Sequence, residues 1–173
     1  MPELEVIPVQ FEYPDLLDEM IFLLGDRLGL KVTRHDLDIR VEDCYDDNRQ
    51  QYDAVKILKK ITPNSPLVKA VIFTSLDIFI PILTFVFGLA GLGGGTGIVS
   101  SYRLKNEFYG LPPDEQKLIE RYIKETIHEY GHLKNLRHCH DYQCVMASSN
   151  TVDDLDVKGD AFCSNCLTAI KSL

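Results

Sequence analysis

An α/β fold, with helices packed on a mixed sheet, is what this sequence predicts, and two patterns predict it. Strand-like and helix-like runs alternate through the first third of the chain, and several strand-like runs then succeed one another up to Leu104. A third observation sets the scale. The chain's 173 residues, 45% of them hydrophobic and 25% charged, suit a single domain with its own core.

Val6 to Phe11 has the β-branched content of a short strand, with Pro8 marking an edge position. Pro14 and Asp15 open a helix in which Leu16, Leu17, Met20, Ile21, Leu24 and Leu28 keep the helical period, and Gly29 supplies the stop. Leu30 to Val41 alternates as a second strand. Tyr45 to Ile61 turns helical through Tyr52, Val55, Ile57 and Leu58, then meets the turn-forming Thr62-Pro63-Asn64-Ser65-Pro66. Leu67 to Thr74 is a nearly continuous apolar run, the pattern of a buried strand. Ile78 to Ile80, Thr84 to Phe87 and Ile98 to Leu104 read as further strands.

Leu111-Pro112-Pro113-Asp114-Glu115 starts a long helix, with proline and acids in its first turn, that runs to His132 or Leu133. Ile119, Tyr122, Ile123, Ile127 and Tyr130 form its apolar stripe. At about 100° per residue, His128 and His132 fall roughly opposite, so one face docks on the sheet and the other opens toward a cleft. From Asn135 onward periodicity is faint. Something other than a large core must hold that end.

Lys and Arg number 18 against 26 Asp and Glu, a formal net charge of -8. Such a surface repels phosphate backbones and no basic run reverses it, so nucleic acid is excluded as a partner. Residues 78–102 carry no charge, but Pro81 and the glycines at 88, 91, 93, 94, 95 and 97 spoil a spanning helix, which needs about 20 mostly apolar residues. No membrane association is expected. The start, Met1 to Val6, lacks the basic and apolar stretches of a secretory signal, so a cytoplasmic monomer in a reducing setting is the expectation. The run Gly91 to Gly97 is no phosphate loop, since no Lys-Ser/Thr follows; it reads as a mobile loop beside the cleft.

His128-Glu129-Tyr130-Gly131-His132 fits H-E-x-x-H. Histidines four apart on a helix aim both imidazoles at one point, and neutral imidazole suits zinc. Glu129 lies between them, placed to take a proton from an attacking water. A catalytic zinc wants three protein ligands and an open position, and His138 stands where a short turn after the helix returns a third imidazole. His140 and Asp141 are rivals for that place. His35 is read as an edge residue without chemistry.

Cys139 and Cys144, then Cys163 and Cys166, form two pairs at zinc-knuckle spacings. They predict a closed structural zinc site that stands in for the missing core; two disulfides are the alternative. Cys44 is a lone, buried thiol. Cys139 follows His138 directly, and adjacent Cα atoms lie about 3.8 Å apart, so fixing the one limits the other.

Residues 128–166 resemble the archaemetzincins, a branch of the metzincin zinc peptidases. HEYGHLKNLRHC, HDYQCVM and FCSNC match that family's extended histidine motif with its trailing cysteine, the second cysteine with a methionine two residues later, and the C-x-x-C. Looser similarity runs through FVFGLAG and IVSSYRL. The resemblance implies a metzincin-like domain over residues 1–173, with an upper α/β part up to residue 134 and a C-terminal part from 135. It also implies a twisted, mostly parallel sheet of about five strands with an antiparallel edge strand above the cleft. Thr84 to Gly88 is the candidate edge, so Phe85, Val86, Phe87 and Gly88 would border an extended peptide bound through its main chain; the two phenylalanine side chains suit the core equally well. Met146 becomes the Met-turn methionine, the floor beneath three histidines. Asn135 stands where the family has glycine, at a turn needing positive φ, which asparagine tolerates.

The function implied is zinc-dependent hydrolysis of a peptide or protein substrate, with one catalytic and one structural zinc per chain. The alternative is a catalytically inert zinc-binding or peptide-binding protein retaining the fold. Glu129 favours the enzyme, because holding a metal does not require it.

Overall fold

The computed structural model describes residues 3–61 and 68–172. Its elements in chain order are β1 (Glu3–Pro8), α1 (Leu17–Leu28), β2 (Lys31–Arg34), β3 (Tyr45–Asp46), β4 (Gln51–Asp53), α2 (Ala54–Leu58), β5 (Lys69–Thr74), β6 (Ile78–Phe79), β7 (Gly88–Ala90), β8 (Thr96–Ser100), α3 (Glu115–Leu133), α4 (Val152–Val157) and α5 (Ser164–Lys171). The turn expected at 62–66 lies outside the described residues.

Five strands form the main sheet in the order β2-β1-β5-β8-β7. The first four run parallel, with Val6 beside Val71 and Ile72 beside Ile98. Only β7 is antiparallel, pairing Gly88 with Val99 and Ala90 with Gly97. The mixed sheet of five strands with an antiparallel edge is thus present, with a small second sheet, β3-β4-β6, beside it.

Strand alternation decides which core each residue joins. Val71, Phe73 and Val99 point to one face, where α1 and α3 bury Leu17, Met20, Leu24, Ile119, Tyr122 and Ile123. Ala70, Ile72 and Ile98 point to the other and meet Ala54 and Ile57 of α2. Tyr122, fully buried, spans from helix to sheet: its hydroxyl accepts from the Thr74 N–H at 3.1 Å and donates to the Val99 carbonyl at 2.6 Å. Its ring packs on Phe73 with centroids 4.6 Å apart.

Several boundaries differ from expectation, each for a local reason. β1 stops at Pro8 because Gln10 takes φ 46° and turns the chain. The second strand keeps only Lys31–Arg34 of the expected 30–41. Residues 45–53 form two short strands ahead of α2, whose Asp53 side chain caps the Val55 and Lys56 N–H groups. Thr84 to Phe87 is not a strand: Leu83 N–H turns back to Ile80 and Val86 N–H bonds the Ile78 carbonyl, so sheet pairing begins only at Gly88. β8 starts earlier than expected and ends at Ser100, after which the Leu104 and Lys105 N–H groups both close turns onto Ser101.

The end of the chain holds two helices that periodicity did not announce. α4 begins with a capping box, Thr151 bonding the Asp154 N–H while Asp154 bonds back to Thr151. It is pinned to α3 by Arg121, which meets Asp156 at 2.8 and 2.7 Å and the Leu104 carbonyl at 2.7 Å. Among the described residues no helix is long and apolar enough to cross a membrane.

Candidate metal centre and active-site cleft

The site is built at the C-terminal end of α3. Asp114 caps the other end by accepting from the Lys117 N–H, and the helix then runs without interruption to Leu133. His128 and Glu129 are buried on it, and His132 lies one turn on, partly exposed. Asn135 then adopts φ 62°, the left-handed conformation expected of it. That turn sends the Leu136 N–H back to the Gly131 carbonyl at 2.9 Å. The Leu136 carbonyl in turn accepts from His132 Nδ1 at 2.8 Å. So one turn both ends the helix and orients a ligand-type side chain. Two residues later it delivers His138.

The three imidazoles converge. Ring centroids of His128, His132 and His138 lie 4.7, 5.2 and 5.0 Å apart, and one nitrogen from each comes within 4.8 Å of the others. His140 is not in this group and neither is Asp141. His35 sits far off, with Nδ1 3.3 Å from Glu5 Oε2.

The protonation pattern fits a cation. His128 Nδ1 meets the Val145 carbonyl at 2.8 Å and His132 Nδ1 meets that of Leu136, so both rings carry their proton on Nδ1. Their bare Nε2 atoms then face each other at 3.1 Å, two acceptors with no hydrogen between them. Burial, then the Lys158 ammonium, pushes the His128 pKa down to about 3, and burial also lowers His132 and His138, which keeps all three neutral. Neutral imidazoles with converging lone pairs suit Zn²⁺.

Glu129 points under the edge strand. A Cβ on Gly88 would stand 2.7 Å from Glu129 Oε1, so only glycine lets β7 cross there. Glu129 Oε2 is buried with no hydrogen-bond partner among the described residues. In the metal-free chain burial drives this carboxyl well above the usual carboxylate range, and the neighbouring Glu125 pushes it further; a cation at the adjacent imidazoles works against both. A cleft of about 410 Å³ opens above, walled by Phe85 to Ala90 on one side and by His128, His132, His138 and Ser148 to Asn150 on the others. Phe85, Val86, Phe87 and Gly88 therefore all border it, although the Phe87 side chain is largely in the core. The glycine run does not line the cleft. Its Gly93 N–H bonds the His132 carbonyl at 2.9 Å, capping α3, and Lys69 Nζ binds the Gly94 carbonyl at 2.7 Å.

Met146 is fully buried and packs so closely on Gly131 that a Cβ there would overlap its Sδ. It links the two sites, since its carbonyl accepts from the Cys139 N–H at 2.9 Å. The four cysteines form the second group. Cys139 and Cys163 have Sγ atoms 3.8 Å apart, as have Cys144 and Cys166. A disulfide needs about 2.05 Å, whereas ligands at about 2.3 Å around a tetrahedral zinc lie about 3.8 Å from one another. Backbone N–H groups of Asp141 and Cys163 aim at Cys139 and Cys144 sulfurs, at 3.4 and 3.3 Å. The Cys166 N–H holds the Cys163 thiol down to about 7, toward the thiolate a metal needs. Cys44 is buried and apart from both groups.

Sequence reasoning missed Glu125 and Lys158. Both are buried against the site, and Lys158 Nζ lies 3.5 Å from His128 Nδ1. Glu125 carried a signal, since it precedes Glu129 by one helical turn. Lys158 carried none, because only tertiary folding brings it there.

A mostly parallel sheet with an antiparallel edge strand, above a helix whose H-E-x-x-H end carries converging histidines, is the frame of a zinc metallopeptidase of the H-E-x-x-H kind. The comparisons agree. The model of Peptidase family M54 matches residues 20–172. The archaemetzincin of Methanocaldococcus jannaschii is 37% identical over 91% of this chain and 88% of its own. Among solved structures, a zinc-dependent peptidase from Methanocorpusculum labreanum has a TM-score of 0.87 at 33% identity, covering 96% of this chain and 99% of that one. Archaemetzincin from Archaeoglobus fulgidus, solved with malonate, has a TM-score of 0.84 at 30% identity, with the same coverage. This chain belongs to peptidase family M54, the archaemetzincins, and is a zinc metallopeptidase.

Proposed function

We propose that this chain hydrolyses peptide bonds at a zinc held by His128, His132 and His138, with Glu129 as general base and then general acid. The observation that carries the reading is the opposition of two bare Nε2 atoms at 3.1 Å, each ring locked by a carbonyl on its other nitrogen. Zinc bound there supplies a Lewis acid for the scissile carbonyl and the attacking water.

The protein's own groups do the rest. Glu129 Oε2, the oxygen left without a partner, takes the water's proton and passes it to the departing amine. The main-chain groups of β7 at the cleft wall bind an extended substrate, with affinity from backbone hydrogen bonds and little demand on sequence. Cys139, Cys144, Cys163 and Cys166 hold a second, structural zinc that fixes the segment carrying His138, Val145 and Met146. Met146 forms the floor of the histidine site.

Metal analysis and a peptide library test this together. Two zincs per chain, with library cleavage by the native sequence and none by Glu129→Ala, is the expected result. One zinc removable only with the cysteines rejects the histidine site. Equal cleavage by both proteins rejects Glu129 as the base, and a native chain with two zincs that cleaves nothing supports the inert alternative.

A further inference from the structure

Three ionisable side chains lie buried together at the base of the cleft, Glu125 and Glu129 lining it and Lys158 behind them, and the hydrolysis described above uses only one. Glu125 and Glu129 stand one turn apart on α3, in side-chain contact, and both are buried. Helical i,i+4 spacing forces like groups together, and like charges so placed repel. Lys158, just past α4, is only 3% exposed. Its ammonium donates to the Ala147 carbonyl at 3.0 Å and stands 3.5 Å from His128 Nδ1. That ring nitrogen already donates to Val145, so it gives the ammonium no acceptor.

A buried ammonium needs opposite charge nearby. The carboxyls facing Lys158 are Glu125 and Glu129, with no direct ion-pair contact to either among the described residues. The other cation close by, Lys124, is occupied by the Leu155 and Asp156 carbonyls at 2.9 and 3.2 Å. Opposite charges in a low-dielectric interior attract even without direct contact. Lys158 therefore makes the crowding of two carboxyls tolerable. Glu125, in turn, engages Glu129 on one side while Glu129 Oε2 stays unpartnered.

We propose that Glu125 is a positioning residue that orients the Glu129 carboxyl toward the cleft, and that Lys158 is the buried counter-charge that keeps this arrangement in place. The kinetic half rests on the peptidase reading; the stability half does not. Neighbours that orient a metal-site group change activity by about 10- to 100-fold when removed.

The test uses the full-length zinc-loaded chain with Glu125→Leu, Glu125→Gln, Lys158→Met and the Glu125→Leu/Lys158→Met pair, and Glu129→Ala as control. Glu125→Leu should lower kcat by about 10- to 100-fold with KM and zinc content unchanged. Glu125→Gln, which keeps a hydrogen-bonding side chain of the same shape beside Glu129, should recover most of that loss. Lys158→Met should melt roughly 10 °C lower, because it strands buried carboxyls, and the double variant should regain at least half of that. A kcat for Glu125→Leu equal to the native value, or a glutamine variant as slow as the leucine one, overturns the orienting role. A double variant whose melting loss equals the sum of the singles overturns the counter-charge. Should native and Glu129→Ala chains cleave alike, the peptidase reading fails, and the melting cycle still decides the coupling of Glu125 to Lys158.

Discussion

Gly88 governs how near the sheet edge comes to the chemistry. Its missing side chain leaves Glu129 the space a Cβ would take, with Oε1 at 2.7 Å and Cγ at 2.8 Å from that point and the Ile98 carbonyl at 3.0 Å. Gly88→Ala should displace the carboxyl by a good fraction of an ångström, and displacements near 1 Å cost about 100-fold in rate. Zinc content should stay unchanged, so steady-state kinetics beside metal analysis of the same sample checks it. His128 gives the second prediction at this scale. Burial holds its folded pKa at about 3, below the 6.5 of an unperturbed imidazole. A depressed pKa contributes stability that is complete above the unfolded value and is lost as pH falls through the folded one. In chelated protein, the stability of the native chain relative to His128→Gln should therefore fall between pH 6.5 and about 3, by up to about 1.4 kcal/mol per unit. Denaturant titrations of both proteins across that range measure it. At this scale the sequence was most legible. His128, His132, His138 and the four cysteines are uncommon residue types at fixed spacing, spacing survives folding, and the structure gathers them into two groups. Lys158 was illegible, because nothing local to residue 158 says what it will face.

Among the elements, α3 was read almost to the residue, because its cap, its apolar stripe and its asparagine turn all agree. The edge strand was displaced: Phe85 and Phe87 have strand-like chemistry, but the Leu83 and Val86 N–H groups turn back to Ile80 and Ile78, and beyond the Phe87 carbonyl, which takes the Ser100 N–H, the paired register starts at Gly88. α4 and α5 escaped notice for another reason: six and eight residues are too few for periodicity to register, although Thr151 and Asp154 form a capping signature. Within the apolar packing of α3 on the sheet, the Tyr122 hydroxyl carries two hydrogen bonds to strand backbone. Tyr122→Phe removes the acceptor of the Thr74 N–H and the donor to Val99 in a fully dry position. It should cost about 1–3 kcal/mol in denaturant unfolding without altering bound metal.

Across the whole molecule, the two ligand groups are mechanically one. Cys139 neighbours His138 in the chain. Cys144 neighbours Val145, whose carbonyl orients His128, and Met146 bonds Cys139 while bracing Gly131. Cys144→Ser should therefore weaken metal binding at the histidines by about 10- to 100-fold while lowering the melting temperature. Competition with a chelator, followed in parallel with thermal unfolding, reads both; a variant with native affinity at the histidine site would show the groups to be independent. This coupling was legible only in part. The adjacency of residues 138 and 139 is written in the chain, whereas the paths through Val145 and Met146 exist only once the fold has closed.

The brevity of β7 has a consequence for how molecules of this kind behave at high concentration. An unpaired sheet border ordinarily invites another copy to add its own strand and begin a stack. Here the border offers three residues, opens on a glycine and overhangs a cleft rather than open solvent. On the proposed reading a single extended chain lies along it, while at this border a twin molecule finds too short a ledge to zip onto.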